Sequence, residues 1–317
     1  YTGCMIGYHA IPVIADAYVK GIRDYDADLA LEAMVHSAMQ DDLGLSWYKK
    51  NGFIAASDEP ESVSKNLEYA YDDWCIALLA DSLGKEKIAT NFYQRGQYYK
   101  NLFDPSSGFF RAKKSHTWFA PFKPEEVNFN YTEANAWQYS LFVPQDIEGH
   151  IELMGGAKNY EQHLDNMFNA STETSGREQP DVTGLIGQYA HGNEPSHHMA
   201  YLYNYVGKPH KTQKIVRQIL DEQYTHLPDG LSGNEDCGQM SAWYVLSAMG
   251  FYSVTPGLDY YTIGTPLFEK ATINLENGNA FTIVANNVSN DNIYIQSANL
   301  NGEIFEHSFI KHSDIIK

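Results

Sequence analysis

Three polar stretches of this sequence put carboxylates and amides where helix patterning alone would not ask for them. The first is Asn130-Tyr131-Thr132-Glu133-Ala134-Asn135-Ala136-Trp137-Gln138-Tyr139. Thr132 reads as a helix cap with Glu133 in the first turn, where an acidic residue is commonly just a partner of the helix dipole. The functional alternative is a carboxyl group beside Trp137 and Tyr139 on the rim of a cavity. Partial desolvation there would raise its pKa and let it donate a proton near neutrality. The second stretch, Gly187-Gln188-Tyr189-Ala190-His191-Gly192-Asn193-Glu194-Pro195-Ser196-His197-His198, offers hard oxygen donors of the kind calcium prefers. It equally reads as a turn and cap, since Pro favours a first helical turn. The third is Gly233-Asn234-Glu235-Asp236-Cys237-Gly238-Gln239. There Asn234 or Asp236 could simply cap the following helix. The sharper reading is a carboxylate held by the helix start, ionised at neutral pH and ready as a general base. His191 and His197 lie six apart, unlike the H-E-x-x-H pattern, which makes zinc a poor fit.

Most of the chain that must position these residues is patterned as helix. Apolar positions recur at helical spacing over residues 27–41. Ser57-Asp58-Glu59-Pro60-Glu61 announces a helix over about 61–83, which Gly84 stops. Another is expected from 85 to 102, with shorter ones near 134–142, 146–155, 159–169, 196–206, 209–224 and 238–250. Helices joined in hairpins, without a fixed-length repeat, suggest a bundle or a closed α/α toroid. After Pro256 the composition changes. Residues 260–263, 271–275, 281–284 and 293–295 are short β-type runs separated by Asn and Gly turns. The expected division is therefore a helical domain over 1–256 and a small antiparallel β segment over 257–317.

Composition narrows the function classes. A net charge of −18 with no basic stripe disfavours nucleic acid. No run approaches the ~20 apolar residues of a membrane span. The 23 Tyr and 5 Trp could form sugar-binding platforms, or a Tyr-rich packing core. Cys4, Cys75 and Cys237 form no C-x-x-C pair, and three thiols cannot all pair within one chain. The chain opens on Tyr1-Thr2-Gly3 without a signal peptide and stops at Ile315-Ile316-Lys317. Both ends are expected to be cut.

In combination, several segments resemble glycoside hydrolase family 92, the exo-acting α-mannosidases. They are residues 62–74, from Ser62 to Trp74, the Glu133 stretch, Gly192-Asn193-Glu194-Pro195-Ser196-His197-His198, and the stretch from Gly233 to Gln239. Gly250-Phe251-Tyr252-Ser253-Val254-Thr255-Pro256-Gly257 and Tyr261-Thr262-Ile263-Gly264-Thr265-Pro266 also match, so the likeness runs along nearly the whole chain in order. The resemblance implies a mainly α protein with an incomplete (α/α)6 toroid. An N-terminal β-sandwich, absent from this sequence, would precede it and supply one wall of the site. The implied activity is calcium-dependent, inverting hydrolysis of terminal α-mannosides, by a secreted, periplasmic or cell-surface enzyme.

Position by position, Glu133 matches the general acid and Asp236 the general base. Gln188, Asn193 and Glu194 are the candidates for the calcium and sugar-binding loop. Asn234, Glu235, Arg177, Glu178 and Trp137 are the candidate substrate contacts. Ala134 stands where relatives commonly have Gly, and some carry Asp at the position of Asn234. An inverting mechanism needs its acid and base roughly 6.5–9.5 Å apart to admit water. The isolated 317-residue chain is expected to have little or no activity. The competing expectations are a non-catalytic carbohydrate-binding toroid and a different metal-dependent hydrolase that uses the histidines.

Overall fold

A computed structural model describes residues 5–317, which divide into two compact units. The first comprises residues 1–156, 169–180 and 255–258, within the described range. It carries α1 (Ala10–Val19), α2 (Ala27–Ala38), α3 (Leu45–Asn51), α4 (Ser62–Ser82), α5 (Glu86–Arg95), the single turn α6 (Ala136–Tyr139) and α7 (Ile147–Leu153). Local chemistry sets several of these boundaries. The Asp26 side chain accepts the Leu29 amide at 3.0 Å and caps α2. Gly44 and Gly52, at φ +82° and +74°, bracket α3 in a conformation that costs glycine little.

The helix α4 is the axis of this unit and packs against α1, α2 and α5. Of its residues only Trp74, Leu78, Asp81 and Ser82 escape full burial. A helix with this many polar positions can be interior only if most of its polar groups find partners. Asn66 Oδ1 accepts the Ile54 amide at 3.1 Å, and Ser64 Oγ accepts the Thr132 amide at 2.9 Å. Lys65 pairs with Glu59 at 2.5 Å, and Asp73 with Arg95 at 2.7 Å. Around this helix lie an aromatic cluster that includes Tyr99, Phe110, Tyr131 and Tyr139 and an aliphatic one that includes Leu31, Met34, Ile76 and Leu79.

The second unit comprises residues 157–168, 181–254 and 259–317. It holds α8 (Ala157–Asn169, whose last residue falls to the first unit), α9 (Pro209–Glu222) and α10 (Gln239–Met249), with a 3-10 helix over Met199–Val206. Pro209 opens α9 at a position where its missing N–H is no loss. Strands dominate after α10. Tyr260–Ile263 lies between Phe309–Lys311 and Phe251–Tyr252 in an antiparallel sheet. Lys270–Asn274 and Ala280–Val284 form a hairpin with Thr272 opposite Thr282. Phe251, Ile310 and Ile315 form the small core here, with Ile273, Phe281 and Ile283 packed on it.

Helix is the main secondary structure and the C-terminal segment is antiparallel β, as the sequence suggests. Three expectations shift. Residues 85–102 form two pieces: α5 ends at Arg95, and a 3-10 helix over Tyr98–Leu102 follows. Within residues 196–206 there is no α-helix: Ser196 ends one 3-10 turn, and a 3-10 helix follows over Met199–Val206. Residues 293–295 are not a strand, since the Ile295 amide bonds to Gln213 Oε1 at 3.1 Å instead of a ladder. Cys75 is buried, Cys237 is exposed and both are free thiols; Cys4 lies outside the described residues. Among the described residues no helix is long and apolar enough to cross a membrane.

Candidate functional site

Glu133 is partly buried and its backbone is left-handed, with φ +50°. That conformation costs a non-glycine residue about 1–2 kcal/mol and persists only where its surroundings enforce it. On one side, Thr132 is fixed by its amide bond to Ser64 on α4. On the other, Asn135 caps α6 with a complete capping box. Its Oδ1 accepts the Trp137 and Gln138 amides, and Gln138 Oε1 accepts the Asn135 amide at 2.8 Å. The sequence expectation that Thr132 caps this helix is therefore wrong. The reversed backbone at Glu133 delays the helix, and the cap moves to Asn135. Trp137 is partly buried and stands edge-on to Phe109, with ring centroids 4.7 Å apart. Tyr139 is buried and donates to Glu68 Oε1 at 3.2 Å.

Arg177 belongs to the same unit. Its amide bonds to the Val127 carbonyl at 3.0 Å, and its guanidinium lies 4.7 Å from the centre of the Phe129 ring. That ring is 68% exposed. Glu178 is exposed beside it in sequence.

The other candidates sit in the second unit. Gln188 and Asn193 are 1% and 7% exposed, whereas Glu194 is open to solvent. Glu194–Ser196 is one 3-10 turn begun at Asn193 with Pro195 inside it, so the turn reading of this stretch holds without a side-chain cap. Ser196 Oγ is buried with no hydrogen-bond partner among the described residues. Gly192 and Gly233 bring this segment against the acidic loop; a Cβ on Gly233 would sit 2.9 Å from the Gly192 carbonyl oxygen.

In that loop Asp236 and Cys237 have φ +51° and +55°, and Gly238 follows at +98°. The helix α10 begins at Gly238 with no side-chain cap, so neither Asn234 nor Asp236 caps it. The carboxylate held by the helix start is Glu235, which accepts the Ser241 amide at 3.1 Å. Its bonds to Ser241 hold its pKa below the usual range. Asn234 donates to Asp181 at 3.3 Å, and Asp236 is exposed.

Sequence reasoning missed two networks. In the first unit His9 reaches Glu68 Oε2 at 2.9 Å and Asp72 Oδ1 at 2.8 Å. The Tyr8 amide bonds to Asp72 and the Tyr8 hydroxyl to Asp73. Burial works against the charged imidazole, but the two carboxylates win and raise its pKa well above 6.5. A signal was present: Glu68, Asp72 and Asp73 recur within one helix, and buried charges require partners.

The second network surrounds the histidines. Tyr224 donates to the Met240 carbonyl at 3.1 Å, so at 2.7 Å it accepts from His191 Nε2–H. His191 Nδ1 then accepts from the Tyr189 hydroxyl at 2.8 Å. His197 Nε2–H donates to the His191 carbonyl at 2.9 Å, leaving Nδ1 to accept from the Gln239 amide at 3.1 Å. Burial holds both rings neutral, lowering His191 to about 2 and His197 to about 4. The ring nitrogens of both histidines are thus already engaged by the protein.

Comparison with known proteins adds to this geometry. The catalytic-domain model of glycosyl hydrolase family 92 matches residues 1–317. A family GH92 α-mannosidase of Bacteroides thetaiotaomicron, solved with mannoimidazole, superposes with a TM-score of 0.93 at 41% identity, over 99% of this chain and 42% of its own. A family GH92 inverting mannosidase of the same organism gives 0.90 at 40% identity, over 100% of this chain and 45% of its own. A secreted glycosidase of Arthroderma benhamiae, itself uncharacterized, is 31% identical over 96% of this chain and 43% of its own length. The chain thus spans less than half the length of each of these relatives.

Proposed function

Because the chain belongs to glycosyl hydrolase family 92, we propose that it carries the catalytic residues of an exported exo-α-mannosidase that inverts anomeric configuration with the help of calcium. The observation that carries this reading is local. Glu133 and Asp236 both stand on left-handed backbone, and such strain gathers where a side chain must be aimed rather than merely accommodated. Glu133 is the general acid that protonates the leaving oxygen. Asp236 is the base that takes a proton from the attacking water. Asn234, Glu235 and Trp137 contact the mannose, and Arg177 and Glu178 the leaving sugar.

Gln188, Asn193 and Glu194 would hold the cation. Their donors are all hard oxygens, and the unpartnered hydroxyl of Ser196 adds another in the same segment, a set that suits calcium better than a soft metal. When bound, calcium would grip sugar hydroxyls and favour a flattened ring. The chain's own contribution is to hold Asn193 and Glu194 at the start of one 3-10 turn that Ser196 closes, with Gln188 between the short strands Leu185–Ile186 and Tyr189–Ala190. Gly192, the neighbour of Asn193, lies against Gly233 of the Asp236 loop, which supports this reading.

The test uses the natural full-length protein and α-1,2-, α-1,3- and α-1,4-linked mannobiose, with and without EGTA. Glu133→Gln and Asp236→Asn are each expected to lower kcat by about 10²–10⁴-fold, the usual worth of general acid–base catalysis. Full turnover in both variants would remove the catalytic assignment. Turnover indifferent to EGTA would remove the calcium.

A further inference from the structure

One side chain, that of Gln239, ties the acidic loop to the Asn193–Glu194 turn. Gln239 is the first residue of α10, directly after the left-handed run Asp236-Cys237-Gly238. Its amide nitrogen lies 3.1 Å from His197 Nδ1 and 3.2 Å from the Tyr252 hydroxyl. His197 belongs to the turn that begins at Asn193, through its amide bond to the Glu194 carbonyl at 3.0 Å. It cannot drift, because Trp243 Nε1 donates to its carbonyl at 3.0 Å and its own Nε2–H is committed to His191. On the Gln239 side, the main chain closes the strained run by bonding its amide to the Asp236 carbonyl at 3.1 Å.

We propose that Gln239 is a positioning residue for hydrolysis, its carboxamide locking the Asp236 turn to the His197 ring and so to the Asn193–Glu194 segment. The proposal rests on the reading of Asp236 as the base. The chemistry favours a carboxamide here. His197 presents a lone pair at Nδ1, and a primary amide can give one N–H to it and the other to Tyr252. A carboxylate of the same shape offers no proton, and a thioether offers neither donor nor acceptor of comparable strength. Without this tether, two consecutive non-glycine residues at positive φ have one restraint fewer and can relax. Asp236 would then remain near its place but lose its aim, and a misplacement of about 1 Å can cost a hundredfold in rate.

The experiment compares Gln239→Met and Gln239→Glu with Asp236→Asn and wild type in the full-length protein, on the best mannobiose. Both Gln239 variants are expected to keep the thermal midpoint within a few degrees and KM within about threefold. Their kcat should fall about 10–100-fold, the signature of an interaction that matters in the transition state. Wild-type kcat in either folded variant, a loss expressed in KM alone, or failure of both variants to fold would overturn the proposal. If Asp236→Asn also retains turnover, the assignment of the base fails. If only that variant is inactive, the assignment stands and the tether alone is rejected.

Discussion

Replacing Arg95 by Met tests how the interior of the first unit tolerates charge. Arg95 Nε lies 2.7 Å from Asp73 Oδ2, and the two side chains are 5% and 0% exposed. The guanidinium also donates to the Ala38 carbonyl at 3.1 Å and stacks over Phe92 at 4.7 Å. Methionine can replace much of the packing but none of the charge. Two unit charges at about 4 Å attract by about 4 kcal/mol at an effective dielectric constant near 20. Removing one partner of a buried pair costs about 3–5 kcal/mol, because the other is left uncompensated. Among the described residues, Asp73 would retain the Tyr8 hydroxyl, at 2.8 Å.

The deficit should depend on pH. Burial already pushes Asp73 up from 3.8 to about 7, against the pull of Arg95 and Tyr8, and loss of Arg95 removes the main opposing influence. A raised carboxyl pKa means that the native state holds a proton the unfolded state has released. Stability is then complete below about pH 4 and falls as pH rises through the folded pKa. Denaturant unfolding of Arg95→Met should therefore show about 3–5 kcal/mol lost at pH 8 and markedly less at pH 5. The double variant Asp73→Asn/Arg95→Met should lose less than the sum of the two single variants. A deficit below about 1 kcal/mol at pH 8, or one equal at both pH values, would refute the pairing logic.

Other outcomes follow from the same geometry. The raised pKa of His9 implies stability that is complete below the unfolded value of 6.5 and lost as pH rises through the folded one. The difference in thermal midpoint between wild type and His9→Gln should accordingly narrow above pH 6.5, and a gap that widens with pH would contradict the clamp. Trp243→Ala removes a fully buried indole and its bond to His197, and should cost about 3–5 kcal/mol in denaturant unfolding. Gly187→Ala combines positive φ with a Cβ driven into the Met167 carbonyl, so it should destabilise by more than about 1 kcal/mol. An unchanged midpoint would show that the turn can shift.

The sequence was most readable where periodicity and punctuation agree. The pattern over 27–41 yields α2, the Pro before Glu61 and the Gly at 84 frame α4, and the alternation around Asn277-Gly278 yields a hairpin. It was least readable inside α4. Lys65, Glu68, Asp72 and Asp73 imitate a solvated face until their partners, which come from distant segments, are known. The candidate site shows the same divide. The acidic and amide residue types of its loops could be picked out directly. Which of them bind the helix ends could not, because left-handed backbone at Glu133 goes with a cap moved to Asn135, and that at Asp236 with a helix that starts without a side-chain cap. The histidines read from sequence as potential ligands, but only the fold reveals that their ring nitrogens are engaged by Tyr189, Tyr224, Gln239 and the His191 carbonyl.

The two reversed backbone positions also set a tension for evolution and for engineering. Glycine or asparagine would relieve each by up to about 1 kcal/mol, so if Glu133 and Asp236 are the acid and base proposed above, a copy released from turnover would gain robustness by discarding these very carboxylates. Degenerate descendants should therefore be sturdier than their working ancestor. A thermostability screen run without an activity check would be drawn to the same two sites.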